Sequence, residues 1–396
     1  MKPVLARIKE FNKNRLPDMV EMKYTAMAEN LYRFYRGTNH IFYEDLAKSV
    51  RPIPSSPLTW ICGDLHLENF GSFKSDNRQV YFDLNDFDEA ILAPAIYELL
   101  RIVTSIFIAF DSLKIEEKKA LNMVQLFLKN YAAVLAKGKS NYIEPHTAKG
   151  IVCEFLTAIS KRDAKKVLRK KAVLKKHKIL LDNPKHFKLK PSLKKEILNH
   201  MVKWLKNDGD SPYNYKAVDA VFRLAGTGSI GLKRYAILLK TINNTGEKHI
   251  LVDMKQAVPS SLNPFLKVKQ PKWNSEAERV IAIQQRMQNR HPALLSSTIF
   301  KGEPFIIQEM QPYKDSINFK VIKEEYRNIF QVIDDMAMLT ASSQLRASGR
   351  QGAAAADELI AFGENDKWRD FVIDYAVKYA AQVKADYMDF LKEYKQ

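Results

Sequence analysis

The sequence predicts a mixed α+β chain in which a helical part is split around an antiparallel sheet, and three observations predict it. Residues 1–50 and 95–206 carry apolar side chains at helical spacing. Between Tyr215 and Gln311 the runs Tyr235-Ala236-Ile237-Leu238-Leu239, Ile250-Leu251-Val252 and Phe305-Ile306-Ile307 have the character of short strands. Beyond Ser316 the helical spacing returns and holds to the end. The changes of character divide the chain into 1–211, the first part of a helical lobe, 212–312, a β-rich lobe, and 313–396, the second part of the helical lobe.

In order, Met22, Met27, Leu31 and Phe34 set a helical rhythm before Arg36-Gly37. Short apolar runs over 58–84 flank Lys74-Ser75-Asp76-Asn77-Arg78, which reads as a hairpin turn. Pro145, Pro184 and Pro191 punctuate the helical stretch, and the strand pattern begins near Pro212. Asn243-Asn244-Thr245-Gly246 reads as a turn between two strands. One helical insert, 274–288, carries Val280, Ile281, Ile283 and Met287 behind the cap signal Asn274-Ser275. The strand at 305–307 leads through Gln311-Pro312 into a connector, and a long helix spans 329–346 with Met336, Met338 and Leu339. There is no internal repeat.

With 396 residues, 46% hydrophobic and 27% charged, the chain has the size and composition to bury a core, which excludes a disordered protein. Cys62 and Cys153, its two cysteines, are too few for a disulfide framework or a four-thiolate metal site, and read as core residues of a protein from a reducing compartment. The first ten residues break their apolar side chains with charge, and no apolar run is long enough to span a bilayer. The expected location is the cytoplasm. A net charge of +18 favours anionic partners. Much of the excess lies between Lys161 and Lys206, as in Arg169-Lys170-Lys171 and Lys175-Lys176-His177-Lys178, where interleaved Leu, Ile and Val make it read as solvated helix faces able to contact an acidic partner. A nucleic-acid site stays open as the second reading.

The chemistry starts at Cys62-Gly63-Asp64-Leu65-His66-Leu67-Glu68-Asn69-Phe70-Gly71. Asp64 and Asn69 follow an apolar strand with four residues between them, a spacing that phosphotransferases use. There the carboxylate orients or deprotonates the acceptor hydroxyl, and the carboxamide oxygen is a hard ligand for Mg²⁺. Tyr81-Phe82-Asp83-Leu84-Asn85-Asp86-Phe87-Asp88-Glu89 then ends a strand in clustered carboxylates, with Asp86 at the position of the metal-binding Asp and Asp88 beside it. Gly63-Asp64-Leu65-His66 also fits the opening motif of dinuclear metallophosphoesterases, but the remaining histidines supply neither the Gly-Asn-His nor the His-x-His element that reading needs. His66 therefore reads as a structural hydrogen bonder.

Leu224-Ala225-Gly226-Thr227-Gly228-Ser229-Ile230-Gly231 contains G-x-G-x-x-G. A dinucleotide site needs a helix directly after these glycines, whereas strand-like residues follow, as expected of a glycine hairpin that covers nucleotide phosphates. Gly226, Thr227, Gly228, Ser229 and Gly231 are thus nucleotide-binding candidates. Lys255 ends the next strand, His249-Ile250-Leu251-Val252-Asp253-Met254-Lys255, and resembles the phosphate-binding lysine of the Val-Ala-Ile-Lys element. The following helix offers Glu276 and Glu278 to orient it, with Glu278 the choice.

All parts of a two-lobed protein-kinase-like fold are present in cyclically permuted order, opened between the long helix and the catalytic loop. Permutation leaves contacts intact when chain ends lie at the surface and close together. Arg36-Gly37, the block from Cys62 to Gly71, Asn85-Asp86-Phe87-Asp88-Glu89 and residues 226–231 resemble a widespread bacterial family, domain of unknown function 2252. The resemblance extends through Lys255, Arg279-Val280 and Gln285-Arg286-Met287-Gln288 to Arg346, and implies a kinase-like fold with no established substrate. Two positions depart from the family pattern: Gln256 where an acid is usual, and Gln344 where His is common. The expectation is an ATP- and Mg²⁺-dependent phosphotransferase acting on an unknown hydroxyl acceptor, small molecule or protein. A pseudokinase or nucleotide-binding interaction module and an AMP transferase are the alternatives.

Overall fold

The computed structural model describes residues 2–181, 185–207, 214–242, 248–311 and 315–394. It is a mixed α+β chain with antiparallel sheets, as the alternation of periodicities predicts. The expected turn at 243–246 and the punctuation at Pro184, Pro212 and Pro312 lie outside the described residues.

Four helices, Val4–Asn12, Pro17–Ala28, Leu31–Gly37 and Asn39–Ala47, lead into strand Leu58–Ile61, which pairs antiparallel with Ile91–Pro94. Between these two strands sits the hairpin of Phe70–Lys74 and Val80–Leu84, its turn at 75–79, one residue on from the expected 74–78, with Arg78 at φ 68°. Helix Ala95–Ser112 follows. Its residues 98–110 are all buried, and it runs between helices Glu117–Lys137 and Arg369–Tyr394. Tyr326–Ala347 and Ala356–Glu364 pack on Glu117–Lys137, so the two ends of the chain close one helical core.

A six-stranded antiparallel sheet forms the other layer, in spatial order Ser296–Phe300, Glu303–Glu309, His249–Gln256, Arg234–Thr241, Tyr215–Arg223 and His186–Phe187. The basic stretch after Arg169, which composition groups with the preceding helices, is not uniformly helical. It contains the short strands Ala172–Val173, Lys178–Ile179 and His186–Phe187, the last of them the sheet's edge. Helix Pro191–Asn207 packs on the sheet and shares a core with it: Ile197, Met201 and Trp204 are buried against Ile237, Met254 and Phe305, and the Trp204 indole N–H donates to Ser296 Oγ at 2.9 Å. Burial of one face of the sheet, more than composition, thus decides where this basic segment belongs.

Helix Glu276–Met287 joins the layers. Ser275 caps it as predicted, accepting from the Glu278 N–H at 3.1 Å, and its Val280, Ile283 and Met287 enter the helical core. Among the described residues no helix is long and apolar enough to cross a membrane.

Candidate functional site

Seven of the residues picked from the two motif blocks, some 138 to 165 positions apart, line one cavity: Asp64, Asn69, Asp86, Asp88, Gly226, Gly228 and Ser229; Thr227, Gly231 and Lys255 are not in its wall. Local backbone geometry explains the acidic half. Gly63 sits at φ +75°, and a Cβ there would lie 2.2 Å from the Glu89 carbonyl oxygen, so only glycine lets the loop before Asp64 pass against the Asp86-Phe87-Asp88-Glu89 turn. Asn69 ties the two together, its Nδ2 donating to the Asp64 carbonyl at 2.7 Å and its own carbonyl accepting from the Asn85 N–H at 2.7 Å. With the amide nitrogen committed, the carboxamide oxygen is the atom left to meet a cation.

Asp64 is held by Arg101, whose Nε and Nη2 reach its Oδ1 at 3.0 and 2.7 Å. Burial pushes the Asp64 carboxyl up to about 7, with Arg101 pulling the other way. One turn earlier on the same helix, buried Glu98 accepts from the Cys62 N–H at 2.6 Å, and burial raises its carboxyl to about 8. The native state therefore binds a proton at Glu98 between the ordinary carboxylate range and pH 8 that the unfolded chain releases. Stability is expected to fall as pH rises through that window, by up to about 1.4 kcal/mol per pH unit. Glu98→Gln keeps the acceptor and removes the titration, so denaturant titrations from pH 5 to 8 should show a flatter profile.

His66 behaves as a structural residue. Its Nδ1 accepts from the Glu68 N–H at 3.2 Å, and burial together with Arg36 and Arg101 keeps the imidazole well below its usual range, hence neutral.

On the sheet, the glycine block joins Tyr215–Arg223 to Arg234–Thr241, the strand-loop-strand setting expected of it. Lys255, buried on the neighbouring strand, forms an ion pair with Asp88, and its Nζ lies 3.9 Å from Asp86 Oδ1. Desolvation and the repulsion from Asp86 raise the Asp88 carboxyl, against the pull of Lys255. Directly opposite Lys255 in the register stands Arg234, a like charge at close quarters. Asp253, two residues before Lys255 on the same sheet face, takes up the Arg234 charge: Arg234 Nη2 binds its Oδ2 at 2.6 Å and Arg223 Nη1 its Oδ1 at 2.7 Å. These two guanidiniums hold the Asp253 carboxyl far below the usual range despite its burial.

Glu278 does not meet Lys255. Its carboxylate turns back to accept from the N–H of Asn274, the residue before the Ser275 cap, at 2.7 Å. The residue through which this helix reaches the site is Arg279, which sequence reasoning passed over as a candidate. Its buried guanidinium donates to the carbonyls of Asp88 at 2.9 Å, Val258 at 3.0 Å and Ala90, and to Glu276 at 2.6 Å. It thereby pins the acidic turn to the segment leaving the Lys255 strand. Glu89 does the same from the other side, accepting from the Ser261 N–H at 2.6 Å. Gln256 lies at the cavity wall, accepting from the Lys233 N–H at 3.0 Å and donating to Glu303 at 3.1 Å. Gln344 lies in the helical core, bonded to the Tyr131 hydroxyl.

A buried carboxylate–arginine pair, an acidic turn and a lysine-bearing strand thus meet at one polar site of this α+β protein. The chain belongs to the bacterial family described as "Uncharacterized protein conserved in bacteria (DUF2252)", whose model matches residues 15–393. Neither a curated protein nor a solved structure matches it.

Proposed function

We propose that this cavity is the active site of an ATP- and Mg²⁺-dependent phosphotransferase with a permuted kinase-like arrangement of parts. The observation that carries the proposal is the meeting of Lys255 with Asp86 and Asp88, two carboxylates that line a cavity together with Asp64, Asn69, Gly226, Gly228 and Ser229. Phosphoryl transfer asks of a protein chiefly positioning and charge neutralisation. In this reading Asp64, steadied by Arg101, accepts the hydroxyl proton, Lys255 and the loop 226–231 bind phosphate oxygens, and Asn69 and Asp86, with Asp88 assisting, hold Mg²⁺. Among the described residues no group of three or more His, Cys, Asp or Glu is placed to hold a metal ion by itself. A cation held by Asn69 and Asp86 would thus draw further oxygens from nucleotide phosphates and water, which suits Mg²⁺. The Lys255–Asp88 pair is the contact that nucleotide and metal would divide between them, phosphate to the lysine and cation to the carboxylate.

The test is thermal stabilisation by Mg-ATP followed by measurement of nucleotide consumption. Wild type is expected to melt higher with Mg-ATP and to form ADP, while Lys255→Met loses turnover by on the order of 10²–10³-fold. Pyrophosphate in place of ADP would identify AMP transfer, and stabilisation with no consumption across acceptors would leave a nucleotide-binding interaction module. No stabilisation by any nucleotide sinks the proposal.

A further inference from the structure

We infer that Arg15, between the first two helices, and Lys23, on the second, are binding residues for the outermost phosphoryl group of the nucleotide, an inference that rests on the phosphotransferase reading of this cavity. Both line it, on the side facing the glycine loop. The Arg15 guanidinium donates to the carbonyls of Gly228 at 2.8 Å and Ile230 at 2.6 Å. Lys23 is wholly buried, and its Nζ has as partners Asn12 Oδ1 at 3.0 Å and the Gly228 carbonyl at 3.3 Å. Every one of these acceptors is a neutral oxygen. A buried ammonium normally sits beside a carboxylate, because desolvating a charge without a counter-charge is costly. Here two cations share one wall with no carboxylate in hydrogen-bond contact with either; burial together with Arg15 pushes the Lys23 ammonium well below the usual lysine range, against the longer-range pull of Glu89 and Asp64. An anion is the occupant that would offset both effects.

One further observation points the same way. The ring nitrogens of His40, a residue that lines the same cavity, have no hydrogen-bond partner, so the N–H of its neutral ring is a donor open to an incoming oxygen. The cavity, about 70 Å³, has room for more than one water.

The glycine loop is built to exchange one set of acceptors for another. Gly231 lies at φ +94°, and a Cβ there would stand 2.9 Å from the Arg15 Cβ, so only glycine lets the loop lie on Arg15. The Leu16 N–H adds a bond to the Gly231 carbonyl at 3.0 Å. The carbonyls of Gly228 and Ile230 thus take the places that phosphate oxygens would fill, and a fully charged oxygen is the stronger acceptor.

Calorimetric titration of the full chain, its Lys23→Met and its Arg15→Gln variants with Mg-ATP, Mg-ADP and inorganic tripolyphosphate tests this. Wild type should prefer ATP over ADP by about tenfold or more, and each variant should lose that preference through weaker ATP binding, with ADP affinity kept within about threefold. Lys23→Met should melt at or above the wild-type temperature without ligand, since it removes a buried charge, whereas a purely structural lysine would leave the variant less stable. Should Lys23→Met fail to fold, Arg15→Gln and Lys23→Arg carry the comparison. Unchanged ATP preference in the variants, or equal loss of ATP and ADP, overturns the inference while leaving the phosphotransferase reading intact. If wild type binds neither nucleotide, that reading falls and tripolyphosphate decides: binding lost in the variants sustains the anion site, and no binding ends it.

Discussion

Asp64→Asn is expected to reduce phosphoryl transfer by about 10²–10⁴-fold while nucleotide affinity stays near wild type. The carboxylate lines the cavity without contacting Lys255 or the glycine loop, so its removal takes away a proton acceptor and not a phosphate ligand. Asn keeps an oxygen for the buried Arg101, which Asp64→Ala would not. Arg101 would then be a fully buried guanidinium without its carboxylate, a loss of about 3–5 kcal/mol. Denaturant titration should therefore rank Asp64→Ala below Asp64→Asn, although both lose activity. Because burial raises the Asp64 carboxyl to about 7, the proton acceptor is protonated below that pH. The rate should climb with pH and level off above about 7, with no such limb in the residual activity of Asp64→Asn. Transfer that persists in Asp64→Asn at the wild-type rate removes Asp64 from the mechanism.

Arg279→Met should destabilise the fold by about 3–5 kcal/mol and weaken nucleotide binding together. Its guanidinium serves the carbonyls of Asp88, Val258 and Ala90, and methionine fills the volume while leaving all three without a donor. Loss of the Asp88 bond frees the acidic turn that Lys255 holds at its other face, so the damage should reach the ion pair. Arg279→Lys should recover only part of either effect, because one ammonium cannot reproduce the planar fork. Urea midpoints and Mg-ATP titrations on the same preparations read both quantities. A stable Arg279→Met with normal nucleotide affinity would show that the clamp is dispensable.

Much of this architecture was legible before any coordinates. Short apolar runs mark the sheet, the hairpin turn at 75–79 falls one residue on from the expected 74–78, and Ser275 caps the predicted helix. Asp64 with Asn69, and Asp86 with Asp88, announce themselves because carboxylates directly after apolar strands are uncommon unless something receives them. The misses have a common cause. Glu278 and Arg279 are neighbours on one helix, and sequence gives no means to tell which faces the site; the glutamate turned back to the Asn274 N–H, and the arginine faced the acidic turn. Glu98 and Arg101 did leave a signal, two opposite charges three apart within the apolar run Ile96 to Ile108, where only buried partners keep such charges. Arg15 and Lys23 left none, since a basic residue in a chain of net charge +18 looks like any other.

By itself, then, the sequence determined the family, the mixed α+β class and the two half-sites, because these rest on local periodicity and on spacings within ten residues or so. Only the tertiary structure decided that Lys255 meets Asp86 and Asp88 across more than 160 residues, that helix Pro191–Asn207 belongs to the sheet, and that Arg101, Arg279, Arg15 and Lys23 surround the cavity. The physical reason is burial: whether a charge stands in water or is forced to find a partner depends on what the rest of the chain packs over it, and no local pattern encodes that.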